Sequence, residues 1–387
     1  METGRTQKQF QTEILTKHSE EMTKEVNDNN YIVSIDLGTT TIAMELVGAR
    51  SARRFKTWTI MNPQASYGAD VISRIRASSE VSRDGRPIGE ILRDLVREAV
   101  SDGLTALLQN VTEPVSVYLA GNTVMTHLFL GRDVTSLGEV PFRPVTLDEG
   151  CVRLSFDDGQ REIDVHTLPM LSAFVGGDIT AGLCAVNLKE GDLFLDLGTN
   201  GEMVLLKDGR YRATATAAGP AFASPSDSRT GTDKIALISR MLRLKLMDRS
   251  GYIEDEETAV RSGFLSMDEV REIQLAKGAT RAGLECLLRI CDMDSADIGT
   301  FHIAGGFGFH LDARAAEEIG MIPEGLAGKV KIEGNTSLYG AYLWGRSREN
   351  GDALSIPPMA ELRRHLTGIN LAAVSDFKEK YISYMDF

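Results

Sequence analysis

The chain has 387 residues, 42% of them hydrophobic and 25% charged, with a formal net charge of −13. That length allows two or three domain-sized cores, and the acidity disfavours nucleic acid or an anionic membrane as the main partner, because both select positive surface. No run of about 18 apolar residues occurs, so no membrane span is expected. The cysteines Cys151, Cys184, Cys286 and Cys291 form no Cys-x-x-Cys pair and read as buried thiols of a cytoplasmic protein, not as metal or cluster ligands.

Residues 1–30 read as a polar leader, expected to be disordered. Residues 32–47, IVSIDLGTTTIAMELV, are two β-branched runs around a turn of small residues, the pattern of a β-hairpin. Residues 87–109 show helical periodicity through Ile88, Leu92, Leu95, Val96 and Ala99, with Pro87 at the start. A strand ending in Ala-Gly follows at 117–123, VYLAGNT, and a small β insertion is expected at 151–167. Residues 193–206, LFLDLGTNGEMVLL, repeat the first hairpin, with Asp196, Gly198 and Thr199 matching Asp36, Gly38 and Thr39. A helical pattern at 267–291 then leads to a second strand ending in Ala-Gly, FHIAGGF at 301–307, and closing helices are expected at 337–347 and 359–382. The order hairpin, helices, strand–Gly–helix thus occurs twice, in 31–131 and 192–320. The fold class is therefore α/β: two similar lobes, each a mixed sheet flanked by helices. The boundaries are 31–186 for the N-terminal lobe, 187–350 for the C-terminal lobe and 351–387 for closing helices.

Two such hairpins suit a polyphosphate. A turn of small residues exposes backbone N–H groups, to which Thr39, Thr40 and Thr41 add hydroxyls in the first copy and Thr199 and Asn200 in the second, beside Gly38, Gly198 and Gly201. Asp36 and Asp196 sit at the strand ends, where a carboxylate organises the water shell of Mg²⁺. A single Asp-x-Gly-Thr has a plain conformational explanation as a turn; its duplication is the specific signal. Neither a P-loop nor a Rossmann glycine motif is present. In Ile303–Phe309, IAGGFGF, Gly305 and Gly306 would let backbone approach a flat ligand such as adenosine, the alternative being a helix start that needs flexible glycines. Asp178, after Gly176 and Gly177, is either a helix N-cap or a further carboxylate of the metal shell.

The DLGTTT and DLGTNG hairpins and the AGGFG run resemble the phosphate and adenosine motifs of the acetate and sugar kinase, chaperone ATPase and actin (ASKHA) superfamily. The segments around Gly121 and Tyr339-Gly340-Ala341 resemble its two connecting helices. Within it, NPQASYGADVISRI (62–75), GNTVMTHLFLG (121–131), LPMLSAFVGGDITAGL (168–183), AGPAF (218–222) and QLAKGATRAGLECLL (274–288) are most similar to the ASKHA domain of reductive activators of corrinoid proteins. The resemblance runs from about residue 31 to the C-terminus. It implies two ribonuclease H-like lobes of the actin-like ATPase fold, with the paired hairpins facing each other across an interlobe gap, and ATP and Mg²⁺ as cofactors. It also implies ATP-driven reduction of an inactive Co(II) corrinoid to Co(I) on a methyl-transfer protein. Carried over by motif, Asp36 and Asp196 organise Mg²⁺ and the attacking water, and Gly219, Gly305, Gly306 and Phe307 join the nucleotide pocket. Lys277 either reaches the nucleotide or lies on a solvated helix face.

Two departures from the family pattern shape the expectation. Residues 1–30 hold no cysteine, so no iron–sulfur cluster is expected on this chain, and either a separate electron donor protein serves it or the protein does another job. After Phe222 the chain reads Ala223-Ser224-Pro225 and reaches Thr230-Gly231-Thr232-Asp233, where relatives carry a Glu-Gly pair and a Cys-Gly-Ser-Gly turn, which leaves ATP hydrolysis open. His166 reads as a strand residue at the edge of the insertion, so the corrinoid is expected on a partner protein; a homodimer is compatible with all of this. The alternatives are a small-molecule kinase, with Asp178 or Asp196 as base, and a non-catalytic nucleotide-binding regulator.

Overall fold

The computed structural model describes residues 28–219, 231–306 and 311–387. The leader up to residue 27, the segment from Pro220 to Thr230 that holds the altered stretch after Phe222, and Phe307 lie outside the described residues.

Two compact units emerge, residues 28–185 with 335–357 and residues 186–334 with 358–387. In the first, the β-branched runs form Tyr31–Leu37 (β1) and Thr41–Gly48 (β2), paired antiparallel with Asp36 opposite Ala43. Arg54–Met61 (β3) continues the meander beyond β2, and Val115–Gly121 (β4) runs parallel to β1 on its other side. A parallel neighbour requires a crossover, and the helix Ile88–Leu108 lies within it. Its Leu92, Val96, Val100 and Leu104 share a core with Val33, Ile35 and Leu37. Side chains alternate along a strand, so Ile32, Ser34 and Asp36 point to the opposite face. The helix Thr336–Asn350 packs on β1 and β4, and its Gly345 comes close to Ile32 on that opposite face. Gly150–Phe156 (β5) and Arg161–Thr167 (β6) complete a six-stranded sheet ordered β3-β2-β1-β4-β6-β5.

The second unit repeats the plan. Leu193–Leu197 (β7), Gly201–Lys207 (β8) and Arg210–Thr216 (β9) form an antiparallel meander, and Phe301–Ala304 (β10) lies parallel to β7. With Val330–Gly334 (β11) and Leu366–Gly368 (β12) the order is β11-β10-β7-β8-β9-β12. The helix Met267–Ile290 opens with a capping box, Ser266 and Glu269, and its Ile273, Ala276, Leu284 and Leu287 pack in one core with Leu193, Leu195 and Leu197. Burying each of those leucines contributes about 1.5–3 kcal/mol.

Tertiary pairing changes four details. Residues 151–167 are not a separate insertion: β6 pairs parallel with β4, which makes it an interior strand, and the ring of His166 stacks on Tyr118 at 5.6 Å rather than lying at an edge. The stretch 359–382 is not one helix; it contains Met359–His365, then β12, then Phe377–Ser383, because β12 finds a partner in β9. Residues 335–350, expected in the C-terminal lobe, return to the first unit, where their helix covers β1. Cys184, Cys286 and Cys291 are buried, but Cys151 is exposed, on the outermost strand β5. No described helix is long and apolar enough to cross a membrane.

Candidate functional site

In the first unit the site begins with the turn between β1 and β2, Gly38 to Thr41. Its core is a local clasp, Gly38 N–H to the Thr41 carbonyl at 3.0 Å. Side chains from outside then brace it. Asn62 Nδ2 donates to the Gly38 carbonyl at 2.9 Å, while Asn62 N–H donates to the Thr40 carbonyl at 2.8 Å. The guanidinium of Arg74 is wholly buried and donates to the carbonyls of Thr39 and Gly68 and to Gln64 Oε1. Burial lowers the Arg74 pKa to about 10, so it stays cationic at neutral pH and gives the turn a fixed positive charge. Asn122 Nδ2 donates to Thr39 Oγ1 at 3.1 Å. The turn is held from three elements at once.

Asp36 stands at the end of β1, on the face covered by the helix Thr336–Asn350. Asn335, the N-cap of that helix, donates from Nδ2 to Asp36 Oδ2 at 2.8 Å. Asp178 is the second residue of the helix Gly177–Val186, and its Oδ1 accepts the N–H of Ile179 at 2.7 Å. It therefore lies inside the first turn and does not take the conventional N-cap position. Burial is the largest cause raising both carboxyls above the ordinary range, and the Asp36 charge pushes Asp178 up further. Such a pair favours a nearby cation or a shared proton.

In the second unit the turn Gly198 to Asn200 is one residue tighter, closed by Gly198 N–H to the Asn200 carbonyl at 2.9 Å. Asp196 pairs across β7–β10 with Ala304, just as Asp36 pairs across β1–β4 with Ala120. Gly305 adopts φ +93°, and a Cβ there would lie 2.5 Å from the Leu197 carbonyl oxygen and 2.6 Å from Asp196 Oδ1. Only glycine fits under that carboxylate. Thr199 is buried, and Gly201 lies under Thr216, whose hydroxyl donates to the Gly201 carbonyl at 3.3 Å. Gly219 follows β9 at φ +79°.

Lys277 is not a solvated helix-face residue. It is 1% exposed, its ammonium donates to the Asp386 carbonyl, and it stands 5.1 Å from the Phe387 ring. Burial, with Arg281 nearby, lowers its pKa to about 7. Contact with a nucleotide would require these bonds to open.

A family profile described as "RACo middle region" matches residues 31–191, and one described as "C-terminal domain of RACo the ASKHA domain" matches 190–228 and 226–387. The chain belongs to the RACo ASKHA-domain family. Corrinoid activation enzyme RamQ of Eubacterium limosum is 26% identical, across 91% of this chain and 69% of RamQ. The solved structure of a reductive activator for corrinoid, iron–sulfur protein superposes with a TM-score of 0.81 at 27% identity, covering 94% of this chain and 67% of that one. The two mixed sheets therefore have the ASKHA architecture.

In this RACo-family chain, the three residues that brace the first turn, Asn62, Arg74 and Asn122, and a fourth that holds the Asp36 carboxylate, Asn335, escaped the site reading of the sequence. Three sit inside strings that carried the family resemblance, NPQASYGADVISRI and GNTVMTHLFLG, but their bonds join segments far apart in the chain. A signal for the fourth existed: Gly334-Asn335-Thr336 repeats Gly121-Asn122-Thr123.

Proposed function

We propose that this chain binds Mg²⁺–ATP through its two hairpin turns and acts as the ATP-dependent reductive activator, or activation partner, of a corrinoid protein in a cytoplasmic methyl-transfer system. The observation that carries the nucleotide reading is the duplicated register, an aspartate at the end of the first strand of each meander paired with the Ala of an Ala-Gly strand end. The corrinoid half is supported by the likeness to RamQ and to the solved reductive activator. Electrons would come from a separate donor protein.

Two observations test the fit. Among the described residues, a Cβ at Gly306 would meet nothing within 4 Å, and one at Gly198 only the Asn200 carbonyl at 3.8 Å. Neither glycine is demanded by the described residues, and the close approach of a phosphate or a nucleoside to the backbone would account for both. No cluster of three or more His, Cys, Asp or Glu among the described residues is arranged to hold a metal. Mg²⁺ needs no such cage, since it keeps several waters and takes one or two carboxylates plus phosphate oxygens. Asp36 and Asp196, with Asp178, would hold the hydrated ion, which supplies charge neutralisation at the transferring phosphoryl group. Gly38, Thr39, Thr40 and Thr41 and the turn Gly198–Gly201 would hold phosphates. Gly219, Gly305 and Gly306 would line the nucleoside.

The deciding experiment measures ATP loss with and without a Co(II) corrinoid protein, followed alongside the corrinoid's absorption spectrum. Stimulated turnover and appearance of Co(I) in the presence of a low-potential donor are expected, and Asp36→Ala or Asp196→Ala should each reduce turnover at least 100-fold. Stimulation by a sugar or a carboxylic acid, and not by the corrinoid protein, would make the chain a small-molecule kinase.

A further inference from the structure

Two asparagines follow glycines at the starts of two helices, and each uses both ends of its amide. Asn122 caps Thr123–Leu130, its Oδ1 accepting the N–H of Met125 at 3.0 Å, and Nδ2 donates to Thr39 Oγ1 at 3.1 Å. Asn335 caps Thr336–Asn350, its Oδ1 accepting the N–H of Leu338 at 2.9 Å, and Nδ2 donates to Asp36 Oδ2 at 2.8 Å. The cap bonds remove the usual ambiguity of an amide: a backbone N–H needs an acceptor, so oxygen faces the helix and nitrogen must face the β1–β2 hairpin. We propose that Asn122 and Asn335 are positioning residues that fix the donor–acceptor polarity of the first phosphate hairpin, Asn335 orienting the Asp36 carboxylate and Asn122 aiming the Thr39 hydroxyl.

The chemistry of each arm is distinct. Thr39 Oγ1 already accepts from Asn122, so its own O–H is directed away from that amide and is free to donate to an anion. Asp36 Oδ2 is tied down by Asn335, which leaves Oδ1 as the oxygen presented to a hydrated cation and keeps the carboxylate from rotating. The corner also carries unused polar capacity. Thr336 is 2% exposed, and its Oγ1 has no hydrogen-bond partner among the described residues. In the other copy the equivalent hydroxyl, Thr123 Oγ1, donates to the Ser172 carbonyl at 2.8 Å. An ordered water belonging to a metal shell would satisfy Thr336.

This inference rests on the reading of Asp36 as a magnesium-organising residue, and the experiment separates the two. ATP binding to the full chain is measured by calorimetry across a Mg²⁺ series for wild type, Asp36→Asn, Asn335→Ser, Asn335→Ala, Asn122→Ser and Asn122→Ala. Serine caps a helix as well as asparagine does but is too short to reach the hairpin; alanine loses both functions. Asn335→Ser is expected to keep its helix cap and melt above Asn335→Ala, while needing about 10- to 100-fold more Mg²⁺ for half-maximal ATP affinity. Asn122→Ser is expected to weaken Mg²⁺–ATP about three- to tenfold with its Mg²⁺ dependence unchanged. Serine variants with wild-type magnesium and ATP dependence, alongside alanine variants that only melt earlier, would reduce both asparagines to helix caps and overturn the proposal while leaving the Asp36 reading intact. If Asp36→Asn itself leaves the Mg²⁺ dependence of ATP binding untouched, the underlying reading fails and this inference goes with it.

Discussion

Asp178 and Asp36 are two carboxylates within electrostatic reach of one another in a site that burial has partly stripped of water. A carboxyl whose folded pKa is raised contributes its stability at low pH, and that contribution is lost as pH climbs through the folded value. Removing the Asp178 charge should therefore help the metal-free protein, and only above the ordinary carboxylate range. Asp178→Asn, which keeps the Oδ1 acceptor for Ile179, is expected to gain on the order of 2 kcal/mol at pH 8 without Mg²⁺ and almost nothing at pH 4, measured by urea unfolding. Equal stability of the two proteins at pH 8 would show that the pair is better solvated than it looks. Lys277 has the opposite sign. Its folded pKa of about 7 lies below the ordinary 10.5, so the unfolded chain binds more protons between those values and stability rises with pH across that window. Melting curves of wild type and Lys277→Met are expected to diverge, with the wild-type midpoint rising relative to the variant from pH 7 to pH 10; parallel pH profiles would mean that the ammonium is not desolvated.

At the level of elements, the first unit depends on a close helix–helix approach. A Cβ at Gly340, in Thr336–Asn350, would lie 1.9 Å from the Ala181 carbonyl oxygen of the helix Gly177–Val186. Backbone cannot retreat as a side chain can, so Gly340→Val should cost about 3 kcal/mol. It should also lower affinity for Mg²⁺–ATP, because the same helix carries Asn335 at its start. The denaturation midpoint checks the first effect, and a midpoint unchanged from wild type would show that the helices are not seated as described. The bracing of the β1–β2 turn shows the same dependence on distant partners. The strings around Asn62, Arg74 and Asn122 carried the family resemblance, yet nothing in their local pattern says that an asparagine, a guanidinium and a second asparagine meet on one turn. Strand pairing and the crossover helix bring them there.

For the whole molecule the controlling quantity is ligand linkage. If the chain binds Mg²⁺–ATP as proposed, saturating ligand at about 100 times its dissociation constant adds roughly 2.7 kcal/mol to the unfolding free energy. Scanning calorimetry with ATP and Mg²⁺ together, then with each alone, is expected to show the upward shift only for the pair, and Asp196→Ala should abolish it. Much of this architecture was open to sequence reasoning. The repeat of Asp-Leu-Gly-Thr with a later Ala-Gly strand end fixes two related α/β lobes, because hairpin turns and buried parallel strands impose local patterns of small and β-branched residues that survive in one dimension. What only the tertiary structure decided has no such local imprint. The joining of β6 to β4, the short strand β12 against β9, the return of residues 335–350 to the first unit and the amide of Asn335 on Asp36 are all pairings of remote segments. Their energy comes from backbone groups and side chains that meet only once the chain is folded.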